Sequence, residues 1–189
     1  MNSKDFLKIA SVALVVSLGS IGLANARGPQ VSVQDVQGSV QTVAAITPLS
    51  MQFFCAKNRN ECRGGGSGQI TMTPDLMAVL KQINTHVNRS IRPKFDTADT
   101  WTLNPAEGDC EDYVLTKRSL LIRNGVSAGS LRIAYTHTRR GEPHAVLVIR
   151  TSEGDFVLDN LNNSVKTLRA SGYTIRSMST ANPNNWSAG

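Results

Sequence analysis

The stretch GDCEDYVLTKRSLL, Gly108 to Leu121, decides the fold. From Asp109 the spacing is helical: Tyr113, Val114, Lys117, Leu120 and Leu121 share one side, and Asn124-Gly125 is a helix stop. Gly108 closes the loop that precedes it, FDTADTWTLNPAEGD over 95–109. Cys110 therefore sits at, or just inside, a helix N-terminus and among three acids, Asp109, Glu111 and Asp112. A structural cysteine would have apolar neighbours. A reactive one needs positive charge nearby, and these side chains carry the opposite sign.

Downstream of Gly125 the period changes. LRIAYTHT, HAVLVIRT and FVLDNL are rich in β-branched residues and are separated by TRRGEP and SEGD, which predicts consecutive antiparallel strands. YTIRSMS at 173–179 predicts one more, and NPNNWSAG reads as a polar tail. Upstream, Thr73 is an N-cap candidate before Pro74, and Leu76, Val79, Leu80, Ile83 and Val87 make an apolar face, so a helix is expected at about 74–91. Asn84 and Asn88 on it are one turn apart and suit a role in satisfying loop backbone. Residues 51–68 hold FCAKNRNEC and then GGGSG, read as a flexible loop. Helices first and sheet second make an α+β domain.

The N-terminus has a targeting signature. Lys4 and Lys8 precede an apolar run from about Ile9 to Leu23, followed by Ala24-Asn25-Ala26. Residues 1–26 read as a secretory signal peptide, too short and too rich in Ser and Gly for a comfortable membrane span. The mature chain is expected to be exported, with no stable membrane insertion after cleavage. Residues 27–47 read as an extended N-terminal arm. The formal charge of the full chain is +6, spread over the chain, with Arg139-Arg140 as a local doublet. No basic stripe is interleaved with aromatics, so a nucleic-acid partner is not indicated.

Three cysteines remain after export. Cys55 and Cys62 are close together, and an oxidising compartment predicts a short-loop disulfide. A metal pair is the alternative, but no second pair completes a zinc site. Cys110 is left over, and an unpaired cysteine in an exported protein points to reactivity.

A thiol nucleophile needs a base, and the base needs a partner that holds its ring. His86 falls on the first helix and reads as a surface residue. His137 ends a strand and faces a turn. His144 opens an apolar strand, and Asp159 interrupts the next one. A carboxylate there needs a partner, either His144 or, as a turn residue with Asn160, the backbone of the strand end. A tight hairpin at SEGD places Asp159 opposite Val148. Parity puts it on the face of His144, and contact requires twist, a bulge or a shifted register.

GDCEDY, HAVLVIRT and DFVLDNL together resemble the bacterial transglutaminase-like cysteine proteinases, including their LapG-type periplasmic branch. The resemblance runs from about Pro48 to Trp186 and takes in FC-x6-C, INTHVN, Trp101 and NPNNW. It implies a peptidase domain over 48–189 with a papain/transglutaminase-like fold, N-terminal helices packed on an antiparallel sheet. It implies Cys110 as nucleophile, His144 as general base and acid, and Asp159 as the group that orients it.

The resemblance also implies calcium dependence, with Asp109, Glu111 and Asp112 in the metal-holding positions. Calcium would cancel the acids' opposition to a thiolate; the alternative is that they only complement the helix dipole. For partners it implies a protein substrate such as a large surface adhesin, and an inner-membrane cyclic di-GMP receptor that sequesters the protease in biofilm control. Two rivals stand beside hydrolysis: transglutaminase-type acyl transfer to an amine, and a non-catalytic, calcium-stabilised binding module. Trp101 is read as either a cleft or a core residue.

Overall fold

Where a strand is covered on both faces, its sequence becomes a continuous apolar run. Pro143–Thr151 is such a strand: every residue from His144 to Ile149 is buried. The structure is a computed structural model and describes residues 43–95 and 99–189. In chain order its elements are β1 (Ala44–Ala45), α1 (Leu49–Lys57), α2 (Pro74–Ser90), β2 (Arg92–Pro93), β3 (Glu107–Gly108), α3 (Cys110–Arg123), β4 (Leu131–His137), β5 (Pro143–Thr151), β6 (Gly154–Asp159), β7 (Asn162–Thr167), α4 (Leu168–Ser171), β8 (Ser177–Ser179) and β9 (Trp186–Ala188). The expected signal peptide and all of the expected arm before residue 43 lie outside the described residues.

Seven strands form one antiparallel sheet in the order β1-β9-β8-β4-β5-β6-β7, and β2 and β3 make a small parallel pair. Ala145, Leu147 and Ile149 of β5 meet the main core, to which α1, α2 and α3 contribute Met51, Leu80, Val87, Val114 and Leu121. Val146 and Val148 face the other way, into a second cluster with Ala134 and Val157, covered by Leu168, Tyr173, Ile175 and Met178. The α+β architecture is the one expected, with α1, α2 and α3 on one face of the strands and the short α4 on the other.

The α2 boundaries follow its sequence signals: Thr73 accepts the Leu76 N–H at 3.1 Å, and Pro74 is the first helical residue. Cys55 and Cys62 are disulfide-bonded, and Cys110 is free.

Several local expectations change. Helix α1 occupies Leu49–Lys57, where no helix was expected. β7 was not expected either. Its NNSVKT sequence lacks apolar alternation because it is a largely exposed edge strand. The strand expected over 173–179 contracts to Ser177–Ser179. The polar tail contributes β9, anchored by Trp186, whose ring lies 5.5 Å from Tyr135 and whose indole N–H donates to Pro183 O at 3.0 Å.

The GGGSG segment is not simply a flexible connector. A Cβ on Gly64 would lie 2.8 Å from Ala181 O, and one on Gly129 would lie 2.8 Å from Gly65 O. Ser127 Oγ and Gly129 N–H donate to this segment at Ser67 O and Gly65 O, both at 2.7 Å. The glycines permit backbone to pack on backbone.

Candidate active site

Helix α3 presents Cys110 at its first turn. Asp109 is the N-cap, and Asp109 and Asp112 form a reciprocal capping box. Asp112 Oδ2 accepts the Asp109 N–H at 3.3 Å, while its Oδ1 accepts the Thr102 N–H at 2.7 Å. Thr116 takes the Asn104 N–H at 2.9 Å. The helix thus pins the loop leading into it. Gly108 is required here, since a Cβ would meet Asp112 Oδ2 at 2.1 Å.

The Cys110 thiol donates to Glu111 Oε2 at 2.8 Å, and the backbone of Ala145, the residue after His144, lies close enough to influence it. Burial pushes the thiol pKa up. The Glu111 charge and its hydrogen bond push it further, Asp109 adds to this, and the Ala145 N–H works in the opposite direction.

His144 and Asp159 do meet. His144 Nε2 is 2.9 Å from Asp159 Oδ1, and both residues are buried. The hairpin supplies the register shift that contact requires. Thr151 pairs with Gly154 around a two-residue turn, and Leu147 pairs with Leu158. Continuing that register sets Asp159 beside Val146, two residues nearer His144 than a SEGD turn would. Gly154, at φ +102, occupies backbone space that favours glycine. A bulge between Val157 and Asp159 shifts the pairing with β7, which resumes at Asp159 opposite Asn162.

The Asp159 carboxylate has three donors: His144, Tyr173 Oη at 2.6 Å on Oδ2, and the Leu161 N–H at 2.9 Å on Oδ1. Burial raises its pKa, but the bonds from His144, Tyr173 and Leu161 outweigh burial and hold it below the usual carboxylate value. An ionised carboxylate only accepts. The His144 proton therefore sits on Nε2, and Nδ1 is the basic nitrogen of the neutral ring.

Several supporting residues were not assigned to the site from sequence. Tyr173 was read only as the first residue of a strand; its ring lies 5.8 Å from that of His144. Asn84 does satisfy loop backbone, at Asn162 O and Asn163 O (2.9 and 3.1 Å), while Asn88 holds Asp159 O at 2.9 Å. Both tie the Asp159 loop to α2. Lys117, placed on the apolar side of its helix by periodicity, is 1% exposed, with Nζ 5.7 Å from the Tyr113 ring centroid. Burial lowers its pKa to about 7 against the attraction of Asp159. A lysine on an apolar stripe was the signal for it.

His86 and His137 are exposed and take no part in this group. Trp101 is a core residue, 7% exposed and edge-on to Tyr135 at 6.3 Å.

The three acids do not form a calcium shell as they stand. Asp109 and Asp112 are engaged in the cap, Asp112 also holds Thr102, and Glu111 faces the thiol and Tyr135. Among the described residues no three His, Cys, Asp or Glu side chains are grouped to hold a metal ion. No described helix is long and apolar enough to cross a membrane.

Residues 41–188 match a family described as bacterial transglutaminase-like cysteine proteinase BTLCP. Among solved structures the chain is similar to LapG of Legionella pneumophila, at 25% identity and a TM-score of 0.53, over 62% of this chain and 71% of that one. Calcium-bound LapG from the same organism aligns at 20% identity and a TM-score of 0.48, over 57% of this chain and 66% of that one. EGTA-treated LapG aligns at 22% and 0.47, over 57% and 64%. The chain thus spans about two thirds of the calcium-bound and EGTA-treated LapG chains. No curated protein matches it.

Proposed function

The chain belongs to the bacterial transglutaminase-like cysteine proteinase family, and from that premise we propose that it is an exported cysteine endopeptidase acting through Cys110, His144 and Asp159. The observation that carries the reading is the buried His144–Asp159 pair at 2.9 Å, with the Cys110 thiol near the backbone of the next residue of the same strand.

His144 Nδ1 takes the thiol proton, and the thiolate attacks a peptide carbonyl carbon. The resulting imidazolium is stabilised by Asp159, which also holds the ring in place. His144 then returns the proton to the leaving amine, and an acyl-enzyme remains on Cys110. Water, deprotonated by His144, hydrolyses it. The helix N-terminus at Cys110 favours developing negative charge. An amine in place of water would give acyl transfer.

Export rests on the basic, apolar and Ala-Asn-Ala sequence of residues 1–26, which supports a periplasmic location. An adhesin substrate and a cyclic di-GMP receptor follow from the family resemblance alone. Calcium dependence is proposed as an effect on charge. Glu111 is the carboxylate that most directly opposes a thiolate, and a hard cation drawing it away would favour one.

The deciding experiment treats purified mature protein with an iodoacetamide probe across pH, in calcium and in EGTA. Intact mass counts the labels, and Cys110→Ser serves as control. Single, rapid labelling at Cys110 near neutral pH, together with peptide-bond cleavage lost in the serine variant, is expected. Labelling as slow as an ordinary thiol under every condition would favour the non-catalytic binding module. Amine incorporation without hydrolysis would favour the transferase.

A further inference from the structure

A cleft of about 560 Å³ opens beside Asp159 and Tyr173. Its walls are the β4–β5 turn, which carries Arg139 and Arg140, and the edge strand β7, which contributes Lys166. All three cations are exposed, and none is in an ion pair among the described residues.

Two carboxylates share the cleft. Glu142 Oε2 accepts the Thr138 hydroxyl at 3.3 Å, and Asp159 is committed to His144, Tyr173 and Leu161. The positive charge is therefore in excess at the mouth. It also reaches the floor, where Arg139 works against the upward shift that burial and Asp159 impose on the Tyr173 phenol.

We propose that this cleft is a subsite for acidic side chains of an extended polypeptide, lying beyond Asp159 on one side of the scissile bond. The shape favours a chain over a small ion. The cleft is open and runs beside an exposed edge strand, and Asn162 and Ser164 supply neutral polar contacts on the same strand as Lys166. Arg139 and Arg140 on one wall and Lys166 on the other meet a carboxylate from two sides. Such charge-assisted contacts discriminate against the isosteric amide.

The proposal rests on the peptidase reading, but its test does not require turnover. Cys110→Ala protein is titrated with fluorescent peptides of one length, rich in Glu, in Gln or in Lys, and binding is read by anisotropy at low and high salt. The Glu peptide is expected to bind roughly tenfold tighter than the Gln peptide, with the advantage shrinking as salt rises. Arg139→Glu, Arg140→Glu and Lys166→Glu should each reduce that advantage. Lys81→Glu, an exposed change of equal charge on α2, should not.

Equal binding of the Glu and Gln peptides overturns the subsite. So does an equal loss from Lys81→Glu, which would mark net charge alone. Displacement by inorganic phosphate at the concentration of the peptide would mark an unselective anion trap and overturn it too. Selective binding by the alanine variant, with no hydrolysis by the wild type, would leave the subsite standing and remove the peptidase.

Discussion

His144 Nε2 and Asp159 Oδ1 lie 2.9 Å apart across the β5–β6 hairpin although the two residues are not direct cross-strand partners. They are diagonal neighbours, brought together by a two-residue turn and held by a third side chain, Tyr173. Everything proposed for the Cys110 thiol depends on that carboxylate staying ionised.

Tyr173→Phe should lower kcat several-fold, because it removes a hydrogen-bond donor to the Asp159 carboxylate that orients His144. The pH dependence of stability checks the cause. The folded pKa of Asp159 lies below the ordinary 3.8. Its stabilising contribution is therefore present above 3.8 and is lost as pH falls through the folded value. The stability difference between wild type and Asp159→Asn should shrink over that acid range. A difference that is flat with pH would contradict the assignment.

Glu111→Gln should speed alkylation of Cys110 in EGTA at neutral pH. The carboxylate that accepts the thiol proton at 2.8 Å, and raises its pKa, is replaced by a neutral amide. The labelling profile should move to lower pH. An unchanged profile would mean that Glu111 has no part in setting the reactivity of the thiol.

Lys117→Met should stabilise the protein most at and below neutral pH. Lys117 is depressed to about 7 from 10.5, so the unfolded chain binds more protons between those values. The cost of burying the charge is thus full below pH 7 and is relieved as pH rises towards 10.5. Urea denaturation of both proteins across this range would show the gap closing. A gap that widened with pH would mean that the fold stabilises the Lys117 ammonium instead of opposing it.

Replacing Cys55 and Cys62 together by Ala should destabilise the fold by about 2–3 kcal/mol, as expected for a short closed loop. The bridge ties α1 to the loop that receives Arg118, which donates to Glu61 O. Specific labelling of Cys110 should survive at temperatures where the variant stays folded. A loss of Cys110 reactivity in the fully folded variant would assign the bridge a direct part in the site.

The sequence alone determined the helix that opens at Cys110, the three central strands and the disulfide, because each is written in local chemistry: capping residues, β-branched runs and cysteine spacing. It also singled out Cys110, His144 and Asp159 by residue type. It did not reveal β7 or β9, whose strands form through pairing rather than apolar pattern, or the backbone packing of the GGGSG segment. Only tertiary structure decided how His144 and Asp159 meet, since a two-residue change in the turn moves a side chain along the sheet while preserving its face. It also decided that Tyr173, fourteen residues beyond Asp159 in sequence, becomes its hydrogen-bond donor. The same is true of the acids at 109–112: sequence groups them, but helix geometry sends Asp109 and Asp112 into the cap and Glu111 to the thiol.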